Sequence, residues 1–144
     1  MPFGNCHSGP IRALLADDDP VGLSLLTSIV ESLKIEPVTA TTVASAKFLL
    51  GEVVPHIAIL DVQLPDGDGI DILREIRRVG LTTTVAFISA TLNAFPYYKC
   101  SFSQPDIIFS KPIDTIAIYA WVQKQAEYVQ GHEERPRITR RFAS

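Results

Sequence analysis

Four short apolar runs in this 144-residue chain end in side chains able to do chemistry. The first ends in Asp17-Asp18-Asp19, and the later ones in Asp61, in Ser89-Ala90 and in Lys111-Pro112. If the runs are parallel strands of one open sheet, their carboxyl ends border a single crevice, which is where such sheets bind ligands. Carboxylates gathered there repel one another, by about 4 kcal/mol for a pair about 4 Å apart at an effective dielectric near 20, so the cluster calls for a cation. With oxygen donors and no His or Cys at ligand spacing, that cation is a hard divalent ion. A site with few protein ligands that keeps its waters suits Mg²⁺ better than Ca²⁺. Helix capping before Pro20 accounts for the aspartates at 17–19 taken alone. It does not account for Asp61 and Lys111 at matching strand ends.

The elements that must position these residues follow from the alternation of apolar runs with helical patterns, the signature of an α/β three-layer, doubly wound parallel sheet. Five strands are predicted: Ile11 to Ala16, Glu36 to Ala40, Ile57 to Leu60, Val85 to Ser89 and Ile107 to Ser110. Four are near-continuously apolar, as strands buried on both faces should be. The second is more polar and carries Pro37, which places it at a sheet edge. Leu25, Leu26, Ile29, Val30 and Leu33 recur at helical spacing after Pro20, a residue suited to a first helical turn. Further helices fit Val43 to Leu50 and Ile70 to Arg78. The segment Asn93 to Gln104 contains Pro96 and the aromatics Phe95, Tyr97, Tyr98 and Phe102, so any helix there is short or irregular. The last helix, from about Asp114 to Val129, carries seven consecutive apolar residues from Ile116 to Val122. That is more than a surface helix buries along one stripe, so another part of the chain or a partner should cover some of it.

These residues resemble the receiver domain of two-component response regulators over about residues 11 to 129. The matching motifs are LLADDDP, HIAILDVQLPDGDG, VAFISAT and IIFSKP, with 43 residues from Asp18 to Asp61, 28 from Asp61 to Ser89 and 22 from Ser89 to Lys111. The resemblance implies a flavodoxin-like five-stranded sheet of order 2-1-3-4-5. It implies that Asp61 accepts a phosphoryl group from a phosphohistidine, with Mg²⁺ (or Mn²⁺) held by Asp17, Asp18, Asp61 and the backbone carbonyl of Gln63. Lys111 and Ser89 would each contact a phosphoryl oxygen, with Ala90 following in the switch segment, and the peptide bond before Pro112 would be cis. Such a domain is no enzyme beyond its own phosphotransfer and dephosphorylation. Its partner is a sensor histidine kinase or phosphotransfer protein. Pro65, Gly67 and Gly69 read as a tight turn into the third helix, and the resemblance implies that this loop also borders the metal.

The match departs from the family pattern at Ile108, where many receivers carry the Tyr or Phe whose rotamer reports phosphorylation. Coupling would then run through Ser89 and the loop after it, or through Phe95, Tyr97 and Tyr98. A homodimer or partner helix is expected on the face made by the fourth-helix segment, the fifth strand and the last helix. About 15 residues follow that helix, so the chain is either a stand-alone receiver or a piece of a longer regulator or hybrid kinase. The expected division is an extension over 1–10, the receiver over 11–130 and a polar basic tail over 131–144.

Composition narrows the rest. The net charge of −3 hides a body, residues 1–130, with 9 Lys/Arg against 14 Asp/Glu, a poor surface for nucleic acid. Cys6 and Cys100 have no metal-ligand or disulfide-scaffold spacing. His7, His56 and His132 lack ligand partners and are read as structural or solvated. No run approaches the roughly 18 apolar residues of a membrane span, and no secretory signal opens the chain, so a cytoplasmic location is expected. A dehalogenase-type phosphatase would need an acid where Gln63 stands. A flavodoxin-like carrier would have its flavin phosphate repelled by Asp17 to Asp19. The remaining alternative is a receiver-shaped binding module that is never phosphorylated.

Overall fold

A computed structural model describes residues 9–90 and 104–132. In chain order the elements are β1 (Arg12–Ala16), α1 (Pro20–Ser32), β2 (Glu36–Ala40), α2 (Val43–Leu50), β3 (Ile57–Asp61), β4 (Gln63–Leu64), β5 (Gly67–Asp68), α3 (Gly69–Arg78), β6 (Thr84–Ser89), β7 (Ile107–Ser110) and α4 (Thr115–His132). Five strands form one parallel sheet in the order β2-β1-β3-β6-β7, which is the predicted 2-1-3-4-5 arrangement.

Side chains along a strand alternate between the two faces of a sheet, and this divides the core in two. Leu14, Ala58, Leu60, Val85 and Phe87 pack with Ala46 of α2 and with Ile72, Leu73 and Ile76 of α3. Ala13, Leu15, Ile57, Ile59, Ala86 and Ile88 pack on the other face with Leu26, Ile29 and Val30 of α1 and with Ile118, Val122 and Ala126 of α4. The three central strands are therefore apolar at nearly every position, as read from the sequence.

β7 corrects that reading. Among the described residues it pairs only with β6, and its burial alternates: Ile107 and Phe109 pack toward the α1/α4 core, whereas Ile108 and Ser110 are exposed. It is an edge strand, like β2. In α4 the apolar run buries one stripe, Ile118, Val122 and Ala126, while Ile116 and Tyr119 remain exposed. Asp114 lies just outside this helix and caps it, its carboxylate accepting from Ala117 N. The expected fourth-helix segment, with its aromatics, falls mostly outside the described residues. So do Cys6, Cys100, His7 and nearly all of the predicted tail. His56 is structural, as expected: its Nδ1 accepts from Arg12 N at 3.1 Å.

Local signals end the helices. α1 starts at Asp19, whose side chain accepts from Val21 N, with Pro20 in the first turn. α3 starts with a capping box between Asp68 and Asp71, and stops at Gly80, which has φ +84°. There Gly80 N donates to Arg77 O and Leu81 N to Ile76 O, the paired bonds of a left-handed helix stop.

Gly69 opens α3 hard against the end of β3. A Cβ at this position would sit 2.8 Å from the carbonyl oxygen of Asp61. That neighbour is backbone, so it has no rotamer through which to yield. Gly69→Ala is therefore expected to destabilise the fold by about 1–3 kcal/mol, the range of an overpacked core position, despite alanine's better helix propensity. A urea midpoint equal to wild type would count against this reading.

Candidate functional site

The strand ends gather the predicted chemistry at one edge of the sheet. Extension of β3 to Asp61, paired with Ile88 of β6, makes that aspartate the last residue of the ladder rather than the first of a loop. Its carboxylate is almost fully buried and has fixed partners on both oxygens. Oδ1 accepts from Gln63 N at 2.9 Å, and Oδ2 accepts from Lys111 Nζ at 2.7 Å. Lys111 follows β7 immediately; its backbone N–H donates to Ser89 O, and its bond to Pro112 is cis, as expected. The ammonium also lies 3.9 Å from Asp17 Oδ1. Ion pairing and burial act against each other on Lys111. Burial disfavours the charge, but the hydrogen bond and charge of Asp61, with Asp17 and Asp19 behind it, outweigh burial and hold the ammonium above its usual pKa.

Asp17 is the least comfortable member of the group. It is 1% exposed. Oδ1 accepts from Asp19 N at 2.9 Å, whereas Oδ2 has no hydrogen-bond partner among the described residues. Burial pushes its carboxyl up to about 6, against the pull of the Asp19 N–H and Lys111, and the neighbouring Asp61 charge pushes the same way as burial. A buried carboxylate oxygen without a donor costs free energy, more so beside a second carboxylate.

Oxygens of Asp17, Asp18 and Asp61 come within 4.8 Å of one another. One lysine does not neutralise three acids, and the orphaned oxygen of Asp17 needs an electropositive neighbour. The donors are all oxygen. This set fits a hard divalent cation, with Asp18 exposed at the mouth so that waters could complete the shell.

Asp18, Asp61, Gln63, Ala90 and Lys111 all line one cleft of ≈ 290 Å³, together with Leu64 and Pro65. Ser89 ends β6 and is buried. Ile108 stands apart on β7, and among the described residues no aromatic replaces it in sequence position. Its neighbour Phe109 turns to the opposite face, where it meets Trp121 edge-on at 6.1 Å.

Sequence reasoning did not single out Gly22. A Cβ there would lie 2.5 Å from Asp17 Oδ2. Glycine inside a helix costs about 1 kcal/mol relative to alanine, and here it makes room for the buried carboxylate. Because the crowded atom is the end of a side chain, Gly22→Ala should fold but turn Asp17 away. Mg²⁺ affinity should drop by about tenfold, in the range seen when a residue that orients a ligand is changed. Calorimetric titration measures this directly, and an unchanged dissociation constant would remove the role assigned to Gly22. The signal was present in the sequence, as a glycine on the inward side of a helix one turn from the acids, but its meaning depended on where Asp17 points.

A family model described as the response regulator receiver domain matches residues 13–123. Among curated relatives, the chain is 31% identical over 129 residues to the transcriptional regulatory protein TrcR of Mycobacterium tuberculosis, with 88% of this chain and 49% of that protein covered. It is 32% identical over 113 residues to the sensor histidine kinase RcsC of Salmonella typhimurium, with 74% of this chain and 12% of that protein covered. The chain thus spans from about an eighth to about half of these relatives' lengths. Among solved structures, the BeF3-activated receiver domain of DrrB, a Thermotoga maritima protein, aligns with a TM-score of 0.72 at 25% identity, covering 83% of this chain and 99% of that one. The family match begins at the second residue of β1 and ends within α4, so it takes in all five strands of the parallel sheet but for Arg12, and its acidic edge, and the chain belongs to the response regulator receiver domain family.

Proposed function

We propose that Asp61 accepts a phosphoryl group from a phosphohistidine of a sensor histidine kinase or phosphotransfer protein, in a reaction dependent on Mg²⁺ or Mn²⁺. The observation that carries this reading is the Asp61 carboxylate, held at the end of β3 between Gln63 N and Lys111 Nζ and within reach of Asp17 and Asp18. A carboxylate oxygen of Asp61 attacks phosphorus. The new P–O bond forms as the P–N bond breaks, and the imidazole leaves with the electron pair. Lys111 passes its hydrogen bond from Asp61 to a phosphoryl oxygen, where its point charge offsets the charge of the transferred group. Ser89 donates its hydroxyl to another phosphoryl oxygen, and Ala90 borders the same space. Asp17, Asp18, Asp61 and the carbonyl of Gln63 would hold the cation. When bound, it neutralises charge between the carboxylates and the incoming phosphoryl group.

The receiver family is not a classical enzyme family, and the only chemistry proposed for this chain is formation and loss of its own aspartyl phosphate. Residues 11–130 form the receiver unit in this reading, flanked by the segments 1–10 and 131–144. Phosphorylation is read out as altered contacts with another protein or a second copy, without the aromatic swing that Ile108 lacks. A cytoplasmic setting belongs to the same proposal and rests on the phosphodonor.

Treatment with acetyl phosphate and Mg²⁺, followed by intact mass, tests the reading. The expected product is a single phosphoryl adduct that needs the metal and is lost at high pH. No adduct from acetyl phosphate or from phosphohistidine donors would overturn it in favour of a phosphorylation-independent binding module.

A further inference from the structure

The segment after Asp61 folds back as a two-bridge hairpin: Gln63 pairs with Asp68 and Leu64 with Gly67, leaving Pro65 and Asp66 at the tip. Its base is tied to the body by Gly69 N, which donates to Val62 O at 2.9 Å. Its tip is tied to a different element. Asp66 Oδ1 accepts from Val43 N at 2.7 Å and Oδ2 from Ala44 N at 3.0 Å, so one carboxylate takes the first two backbone donors of α2. Those two donors hold the Asp66 carboxyl below the usual range. Leu64, between base and tip, is buried among residues that include Val43 and Ala46 of α2.

Helix α2 also has a cap of its own, on other donors than those Asp66 takes. Thr42 forms a complete capping box with Ser45, accepting from Ser45 N at 3.0 Å. Asp66, a charged acceptor 23 residues away, takes the two donors ahead of Ser45, so the same carboxylate that completes the helix end also ties the hairpin tip to it. Gln63 sits in that hairpin, directly bonded through its N–H to Asp61.

We propose that Asp66 is a positioning residue for the metal pocket: by clamping the hairpin tip to the N-terminus of α2, it holds the backbone of Gln63 in the place from which its carbonyl meets the cation. The inference deepens the function proposed above and rests on the metal-binding part of it. Two bridges alone constrain a hairpin weakly, and the anchors at its base and tip, with Leu64 buried between them, hold it in place before the ion arrives. A ligand group already held in place binds more tightly than one that must be ordered on binding. Coupling of this kind is reciprocal, so Mg²⁺ must tighten the contact between Asp66 and α2 as much as that contact tightens Mg²⁺.

The test compares Asp66→Ala, Asp66→Asn and Thr42→Ala in the full chain, with Mg²⁺ alone as the ligand. Asp66→Ala should weaken Mg²⁺ binding by about tenfold, the lower end of the effect of residues that orient a metal ligand. Asp66→Asn, which keeps one acceptor, should fall between it and wild type. Thr42→Ala loosens the same helix end without touching the hairpin and should bind Mg²⁺ as wild type does. In wild type, hydrogen exchange at the amides of Val43 and Ala44 should slow on adding Mg²⁺. The proposal is overturned by wild-type affinity in Asp66→Ala, by equal weakening in Thr42→Ala, which would reduce Asp66 to a stabiliser of α2, or by a wild type that binds no Mg²⁺. Because the titration uses no phosphodonor, Mg²⁺ binding without an aspartyl phosphate would sink the phosphotransfer reading and leave this one standing.

Discussion

Asp61→Asn should take up no phosphoryl group from acetyl phosphate under conditions that fully modify the wild type, and it should do so while folded. The amide is a poor nucleophile, so the chemical loss is complete rather than partial. The structural loss is small. The substituted amide side chain retains an oxygen for the Gln63 N–H and turns an NH₂ group toward the Lys111 ammonium. Two donors facing each other part, and Lys111, which is 27% exposed, has Asp17 Oδ1 3.9 Å away as an alternative partner. Loss of this half-buried ion pair is set against relief of repulsion among three carboxylates and the continued access of Lys111 to water, so the net destabilisation should fall well below the cost of about 3–5 kcal/mol for breaking a fully buried pair. Intact mass and a urea midpoint taken on the same sample separate the two effects. An adduct at wild-type level in a folded Asp61→Asn would move the acceptor to another residue.

Asp17→Asn should abolish tight Mg²⁺ binding and at the same time stabilise the metal-free protein near pH 8. Removing a ligand outright costs at least as much affinity as disturbing the group that orients one, about a hundredfold or more. The stability gain follows from linkage. Burial raises the folded pKa of Asp17 from 3.8 to about 6, so the folded state binds the proton more tightly than the unfolded chain. The contribution of this group to stability is fully present below about pH 4, is lost as pH rises through 6, and leaves an ionised, half-satisfied carboxylate above that. Asparagine imitates the protonated form. Its oxygen can keep the Asp19 N–H, and its NH₂ can face Asp61 as the protonated acid does. The gain over wild type should be on the order of 2 kcal/mol at pH 8 and should shrink toward zero between pH 6 and pH 4.

Comparing the two proteins at each pH isolates this group. Asp66 and Glu75 both have depressed carboxyl pKa values, through backbone donors and Arg78 respectively, and lose stability in the opposite direction as pH falls. They do so equally in both proteins. Urea midpoints in EDTA at pH 5 and pH 8 give the measurement. Mg²⁺ should reverse the order at pH 8 by stabilising the wild type alone, since metal and proton compete for the same carboxylate. Equal midpoints at both pH values would mean that Asp17 is not strained in the metal-free fold.

Much of this site is legible in the sequence. Short apolar runs ending in Asp17-Asp18, Asp61, Ser89 and Lys111 mark strand ends; for the first three the reason is that a strand buried on both faces has to be apolar until it emerges. A parallel sheet then brings those ends to one edge whatever the loop lengths between them. Pro20 after an acidic residue marked the start of α1, and Pro37 marked an edge strand, since both depend on the φ angle and missing donor of a single residue. These features are local, or follow from period and order.

What tertiary structure alone decided depends on distances between residues far apart in sequence. Whether Ile107–Ser110 is buried on one face or two is set by its neighbours in the sheet, not by its own apolar residues. Which oxygen of Asp17 is left without a partner, and that Gly22 is the residue making room for it, required knowing how α1 lies against β1. The bonds from Asp66 to Val43 and Ala44 span more than 20 residues between a loop tip and a helix end, and no periodicity encodes them. The sequence specifies which side chains can do the chemistry because that depends on their type and on local order. Their charge state and fixed orientation come from burial and long-range hydrogen bonds, which exist only once the chain has packed.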